Sequence, residues 1–358
     1  MKFLLSDDQV ALQEAVRDFA VEQADGGVRR AVFDGDMGQD PAFWRSLMDL
    51  GVAGIAAPAD YGGMGLGLLD LSLAMEALGY AGAPGPVLGH VLAILAIAAC
   101  GSEAQKANWL PALIGGERIG AIALAEADDC HEPARWQTRL ADGRLEGEKR
   151  DILAPELADV LIVGTTDGFA LVERAAPGMT MTLRDSADRT RRSGHIVFAG
   201  TAAEAMPASA QTVMQLFDAA LILVAADAFG GACRLLDMSV GYAREREQFG
   251  GPIGRFQGLK HQLADMAVDI EPARGLYWYA AHAQDAGADD AHRTAALAKA
   301  HLGDIFMRAA RTAIEAHGGI GFTWEYDAQI WFKRALFDSA WLGTPSYHRE
   351  RAARLAQW

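Results

Sequence analysis

The spacing of apolar residues divides this chain into three stretches, and that division limits its fold more than any other feature. Between about Ile119 and Pro207 the pattern shortens to a period of two, in GAIALAEA, RLADGRLEG, ADVLIVGTT, GFALVERA and HIVFAG. That is the period of strands with one covered face. Asp142-Gly143 and Asp167-Gly168 sit between such runs and predict hairpin turns. On either side the repeat lengthens to that of helices. SDDQVALQEAVRDFAVEQ opens with a Ser N-cap candidate and an acidic first turn, and PAFWRSLMDLGVAGI has Pro41 near its start and Gly51 at its end. From Ser209 onward, MQLFDAALILVAADAFGGACRLLDMSVGYARERE reads as one long apolar helix ending in charge, and three further helical runs follow it across Gly-bearing breaks. The expected class is α+β: an N-terminal all-α domain over 1–118, a middle antiparallel β domain over 119–208, and a C-terminal helical bundle over 209–358.

The formal net charge of −15 disfavours nucleic acid or an anionic membrane as partner, though a local arginine cluster can still hold a phosphate. Cys100, Cys130 and Cys233 lie far apart with no C-x-x-C pair, which suits a reducing cytoplasm and predicts neither metal nor disulfide scaffolding. MKFLLSDDQV turns acidic too early for a signal peptide, and VLGHVLAILAIAAC is too short to span a bilayer. A cytoplasmic protein with no membrane span is expected.

The most specific stretch is Arg244-Glu245-Arg246-Glu247-Gln248-Phe249-Gly250-Gly251-Pro252-Ile253-Gly254-Arg255-Phe256-Gln257. A long helix ends in a charged turn, an aromatic and a Gly-Gly-Pro corner follow, and a new helix opens on a glutamine. Arg246 could grip a phosphate bidentately, Phe249 could stack on a planar ring and Gln257 could hydrogen-bond a heterocycle. The plainer reading is a salt-bridged helix end with Phe249 as core filler.

REREQFGGPIGRFQGLKHQLADM resembles a signature of the acyl-CoA dehydrogenase family. PADYGGMGLG followed by MEALGYAGAP resembles its N-terminal signature, LPALIGGERIGAIALAE its junction into the β domain, and AHGGIGFTWEYDAQIWFKRA its C-terminal signature. The matches run in order along nearly the whole chain. The resemblance implies the family's fold, with a four-helix bundle at the C-terminus. It also implies an FAD enzyme that takes an α-proton and a β-hydride from an acyl-CoA thioester and is reoxidised by an electron-transfer flavoprotein. In such dimers or tetramers FAD lies at a subunit interface; one subunit cradles the flavin ring and its neighbour grips the adenine and pyrophosphate.

Carried onto this sequence, the neighbour-facing half is well kept. Arg246 stands at the pyrophosphate arginine, with Gln248, Phe249 and Gln257 beside it, and Gly318-Gly319 match the double glycine near the partner's cofactor. Glu315 replaces the family's glutamine. Thr344 matches a cofactor-contacting hydroxyl, and Ser346 replaces another glutamine. The ring-facing half is eroded. Where the family has T-E-P-x-x-G-S, this chain has Ala125-Glu126-Ala127-Asp128-Asp129-Cys130-His131, and Asp151-Ile152-Leu153 replaces an aromatic-Ile-Thr wall.

The resemblance is most telling at the catalytic base. The glutamate that takes the α-proton is replaced by Leu342, and the alternative site on the long helix, ten residues before Gly230, is Ala220 with Leu221 beside it. Neither accepts a proton. Asp338, Asp218 and Asp227 lie near enough in sequence to be weighed as substitutes, and each reads more simply as a cap or core acid. The expected role is the base-lacking member of a heteromeric enzyme, paired with a second acyl-CoA dehydrogenase subunit and acting on a bulky, steroid-side-chain-like acyl-CoA. The alternatives are a homo-oligomeric dehydrogenase with a relocated base and a binding or scaffold protein with no redox role.

Overall fold

The computed structural model describes residues 4–24, 27–127 and 131–358. Helices α1 (Asp7–Ala24), α2 (Gly27–Asp34), α3 (Pro41–Asp49), α4 (Leu68–Ala81), α5 (Val87–Cys100) and α6 (Glu103–Ile114) come first. Their ends follow local chemistry. The Ser6 hydroxyl accepts from Gln9 N–H while Ser6 N–H donates to the Gln9 side chain, and Asp40 caps α3 through Ala42 and Phe43 N–H. Both α4 and α5 are buried almost all round, which explains why they show no polar stripe.

Eight strands follow among the described residues: β1 (Gly120–Ala123), β2 (Arg139–Ala141), β3 (Arg144–Leu153), β4 (Val160–Thr165), β5 (Gly168–Glu173), β6 (Met179–Arg184), β7 (Ser193–Ala202) and β8 (Glu204–Pro207). They form two four-stranded sheets, ordered β1-β4-β5-β8 and β2-β3-β7-β6. Pairing is antiparallel except between β1 and β4. The β2–β3 hairpin turns at Asp142-Gly143, both left-handed with φ of 50° and 71°, and β4 pairs with β5 across Thr166-Asp167.

The remaining helices are α7 (Ala210–Glu245), α8 (Gln257–Ile270), α9 (Arg274–Asp285), α10 (Ala291–His317), α11 (Ala328–Ala340) and α12 (Pro345–Leu355). The 36-residue α7 is long and apolar enough to cross a membrane by length and composition, which the shorter run chosen from the sequence is not. Its apolar window is 94% buried against α4, α10 and their neighbours, so here it is the axis of the core. One hydrophobic cluster runs continuously from α1 through α4, α5 and the β1-β4-β5-β8 sheet into α7, α10 and α11; a smaller one lies between the two sheets.

Candidate functional site

The C-terminal ends of α7 and α10 lie side by side, with the Tyr242 and His317 rings 4.5 Å apart between centroids. One turn beyond Tyr242 stands Arg246, and directly after His317 stands Gly318. The helix packing therefore brings together two segments seventy-odd positions apart in sequence. Arg246 is the C-cap residue of α7, exposed, and its side chain makes no ion pair among the described residues. Beyond it the chain folds into a tight corner, closed by a bridge between Glu247 and Pro252 and by Gln248 N–H donating to Gly251 C=O at 2.9 Å. Arg255 donates to the carbonyls of Phe249 and Gly250, which holds Phe249 in the left-handed region at φ 55°. Phe249 is 85% exposed and touches Phe256 edge-on, so it is not core filler. Gln248 is exposed, and Gln257 opens α8, also exposed. Gly318 has φ 62°, and a Cβ placed there or on Gly319 would meet nothing within 4 Å. The glycines leave backbone bare on an open surface. Glu315 faces solvent on the last turns of α10.

The second region is the break between α11 and α12. Leu342 is left-handed at φ 57° and only 1% exposed, and Gly343 follows at φ 113°. A buried leucine in that conformation is strained by about 1 kcal/mol, and identifiable bonds hold it. Lys299 on α10 donates to Ser339 C=O at 3.1 Å and Gly343 C=O at 3.0 Å, and His348 Nε2–H donates to Leu342 C=O at 3.0 Å. Burial pushes Lys299 down to about 7, and burial with the Lys299 and Arg351 charges pushes His348 down to about 2. The Thr344 hydroxyl caps α12 by accepting from Tyr347 N–H at 3.3 Å, a structural use the sequence reading did not foresee. Ser346 is exposed on the first turn of α12. Trp341 completes the break: its indole N–H donates to Asp151 C=O at 3.0 Å.

The substitute acids are all engaged. Asp227 receives Arg334 through both oxygens, at 2.5 and 2.8 Å, and Arg191 at 3.3 Å. Arg191 also pairs with Asp188 at 2.8 Å and Asp338 at 2.6 Å, while Arg334 donates to Ala83 C=O and to the Thr190 hydroxyl. Every side chain of this cluster is 97% buried or more, and it fastens the β6–β7 loop to α7, α11 and the end of α4. Burial opposes the charge on Asp227, but Arg334 and Arg191 outweigh it and hold the carboxyl down at about 2. Burial beside the charged Asp227 pushes Asp338 well up, although Arg191 pulls the other way. Asp338 is thus a member of a domain clamp, held by Arg191. Asp218, fully buried, pairs with Arg351 at 2.7 Å and His292 at 2.5 Å. None of the three acids presents a free carboxylate. Ala220 and Leu221 are wholly buried in α7.

Comparison with known proteins agrees with this architecture. The profile described as acyl-CoA dehydrogenase, N-terminal domain, matches residues 6–117, and that described as acyl-CoA dehydrogenase, C-terminal domain, matches residues 210–356. The acyl-CoA dehydrogenase IpdE2 of Mycolicibacterium smegmatis is 31% identical across 98% of both chains. The chain belongs to the acyl-CoA dehydrogenase family. Among solved structures, a chain of the Tcur3481-Tcur3483 steroid ACAD superposes with a TM-score of 0.91 at 30% identity over 98% of both chains. Butyryl-CoA dehydrogenase from Megasphaera elsdenii superposes at 0.86 with 26% identity over the full length of both.

As a member of this family the chain is an FAD-linked oxidoreductase, so its residues can be tested against that cofactor in two halves. The exposed cradle of Arg246, Phe249, Gln257, Gly318 and Gly319 fits an adenine and diphosphate presented from outside. It offers an uncommitted guanidinium, an unpacked aromatic face and unobstructed backbone.

The ring-facing half does not fit. Leu153 packs toward α5, so that a Cβ on Gly89 would sit 3.4 Å from the Leu153 Cβ. Asp151 sits at a register shift of β3, left-handed at φ 52°, with its carbonyl taken by Trp341. Glu126, the survivor of the family motif, is turned inward. It accepts from Gln137 N–H and from the Thr138 N–H and hydroxyl, and pairs with fully buried Lys149 at 2.9 Å. Burial opposes its charge, but Lys149 and Thr138 outweigh that and hold its pKa below the usual glutamate value. Asp128, Asp129 and Cys130 lie outside the described residues. A cavity of about 860 Å³ opens on the β3–β7 face beside Glu126, lined by Thr138, Glu146, Gly147, Glu148 and Phe198, but by neither Leu342 nor Leu153.

Proposed function

We propose that this chain is the base-lacking subunit of a heteromeric acyl-CoA dehydrogenase. It lends its Arg246 and Gly318-Gly319 surface to a cofactor whose ring is held by a second, base-bearing acyl-CoA dehydrogenase subunit. The observation that carries the reading is Leu342: the loop is left-handed there and supported by Lys299 and His348, yet it offers a buried hydrocarbon where a carboxylate has to meet the α-proton. Family chemistry then divides between subunits. FAD gripped by Arg246 and Gly318-Gly319 would supply the hydride acceptor, the partner subunit would supply the carboxylate for the α-proton, and an electron-transfer flavoprotein would take the electrons. This chain's own residues bind and orient; they move no proton.

The likeness to a steroid ACAD supports a bulky, steroid-side-chain-like acyl-CoA as the substrate class. A dimer or tetramer located in the cytoplasm belongs to the same reading. A homo-oligomeric enzyme with a relocated base is disfavoured because Asp338, Asp227 and Asp218 are each locked to buried cations. A scaffold without redox role leaves the exposed Arg246 and Phe249 pair without a use. The test is acyl-CoA turnover with an artificial electron acceptor, by the chain alone and co-expressed with a base-bearing acyl-CoA dehydrogenase. Turnover only in the co-expressed sample is expected; turnover by the lone chain contradicts the proposal.

A further inference from the structure

Where the segment after α2 meets the end of β6 and the β6–β7 loop, far in sequence from Arg246 and Leu342, a cavity of about 280 Å³ is lined by Asp36, Arg184, Asp185, Ser186, Arg189 and Arg192. Arg192 is committed: it donates to Asp36 C=O and its Nε stands 3.6 Å from Glu156. Arg184 and Arg189 form no ion pair among the described residues, although Asp36 and Asp185 line the same cavity. Arg189 is half-buried, and a guanidinium drawn out of water without an anion carries a desolvation cost that a ligand would offset.

The surroundings add positive charge. Arg29 and Arg30 share the single carboxylate of Asp327, and Lys333 on α11 lies 3.7 Å above the Trp324 ring. Burial, and then the nearby charges of Arg189 and Arg30, push the Lys333 pKa down, with only Asp34 opposing them. A spot where cations repel one another stands out in a chain whose formal charge is −15.

We propose that this cavity binds a phosphate group, held by the guanidinium forks of Arg184 and Arg189. A guanidinium presents paired N–H donors matched to two phosphate oxygens, and the space suits one tetrahedral oxyanion with part of the group that bears it. The source is either free phosphate or a phosphate ester such as the ribose phosphate of coenzyme A. The site is independent of how the flavin is shared between subunits.

The test is calorimetric titration of the full chain at low ionic strength with inorganic phosphate, coenzyme A and dephospho-coenzyme A. Saturable binding is expected, weakened about ten-fold or more in Arg189→Ala and Arg184→Ala. Arg184 is exposed at a sheet edge, so its variant keeps the wild-type melting temperature and separates lost binding from lost folding. Binding of inorganic phosphate identifies a free-phosphate site. Binding of coenzyme A but not of the dephospho form identifies the ester. Absence of saturable binding by all three, or wild-type affinity in both variants, overturns the proposal.

Discussion

Trp341 and Asp151 are joined by a hydrogen bond of 3.0 Å from the indole N–H to the backbone carbonyl. By the proposed reading, one residue stands immediately before the position of the catalytic base and the other at the position of the flavin wall. In this chain the two sides of what would be a reaction centre are fastened directly to each other, with Leu342 and Leu153 buried behind them.

Restoring the base alone is therefore expected to fail. Leu342→Glu gives no acyl-CoA turnover above wild type in the lone chain, because Asp151-Ile152-Leu153 still replaces the aromatic-Ile-Thr wall that the family resemblance implies. It also destabilises the fold by about 2 kcal/mol or more, since the new carboxyl enters a 1%-exposed site. Steady-state assays and urea unfolding of the variant check both parts. Measurable turnover would mean that only the base, and not the site, has been lost.

Arg246 acts outward. Arg246→Ala leaves the melting temperature of the isolated chain unchanged, since its side chain supports no neighbour. The same change weakens FAD retention in the co-expressed complex by about ten-fold to a hundred-fold, the loss of one charge-assisted bidentate contact. Absorbance of bound flavin after gel filtration reads this directly. Arg246→Lys recovers only part of the retention, because an ammonium cannot present a fork.

The clamp of Asp188, Arg191, Asp227, Arg334 and Asp338 is expected to hold the β sheets to the helices. Arg334→Met leaves Asp227 buried without its bidentate partner and costs about 3–5 kcal/mol. Asp338→Asn removes a carboxyl whose charge burial and Asp227 already oppose, and it costs less. Comparison of the two by denaturant unfolding checks that direction; equal losses would contradict it.

This clamp marks how far the sequence was legible. Its bonds span separations of 36, 107 and 147 positions, and no local pattern announces a pairing at such range. Features set by local chemistry were readable: the Ser6 cap, the left-handed Asp142-Gly143 turn and the exposed corner at Phe249. The left-handed Leu342 was not, because a leucine gives no sign of a strained φ that Lys299 and His348 impose from other elements. One signal went unused: Lys299 is a lone lysine in the otherwise apolar run AALAKA, a position that implies a buried carbonyl partner.

Buried bases, His348 among them, shape the pH response. His90 is held neutral, its Nε2–H donating to Leu113 C=O and its Nδ1 accepting from Gly120 N–H, and burial pushes it down to about 4. The unfolded chain binds this proton near 6.5 and the folded one does not, so stability falls as pH drops from 6.5 toward 4. Lys299, down at about 7 against 10.5, works in the same sense: stability rises between pH 7 and 10.5. Each group contributes a slope of at most about 1.4 kcal/mol per pH unit within its window. Urea midpoints against pH check this, and Lys299→Met flattens the alkaline arm while lowering stability at every pH through the two carbonyls it abandons.

The central claim is that this chain supplies half of a flavin site. The most direct measurement is the ratio of FAD to protein, by absorbance and amino-acid analysis, for the chain purified alone and for its complex with a base-bearing acyl-CoA dehydrogenase subunit. The account predicts essentially no flavin on the lone chain and about one FAD for each pair of unlike chains. One FAD per chain in the protein purified alone would contradict it.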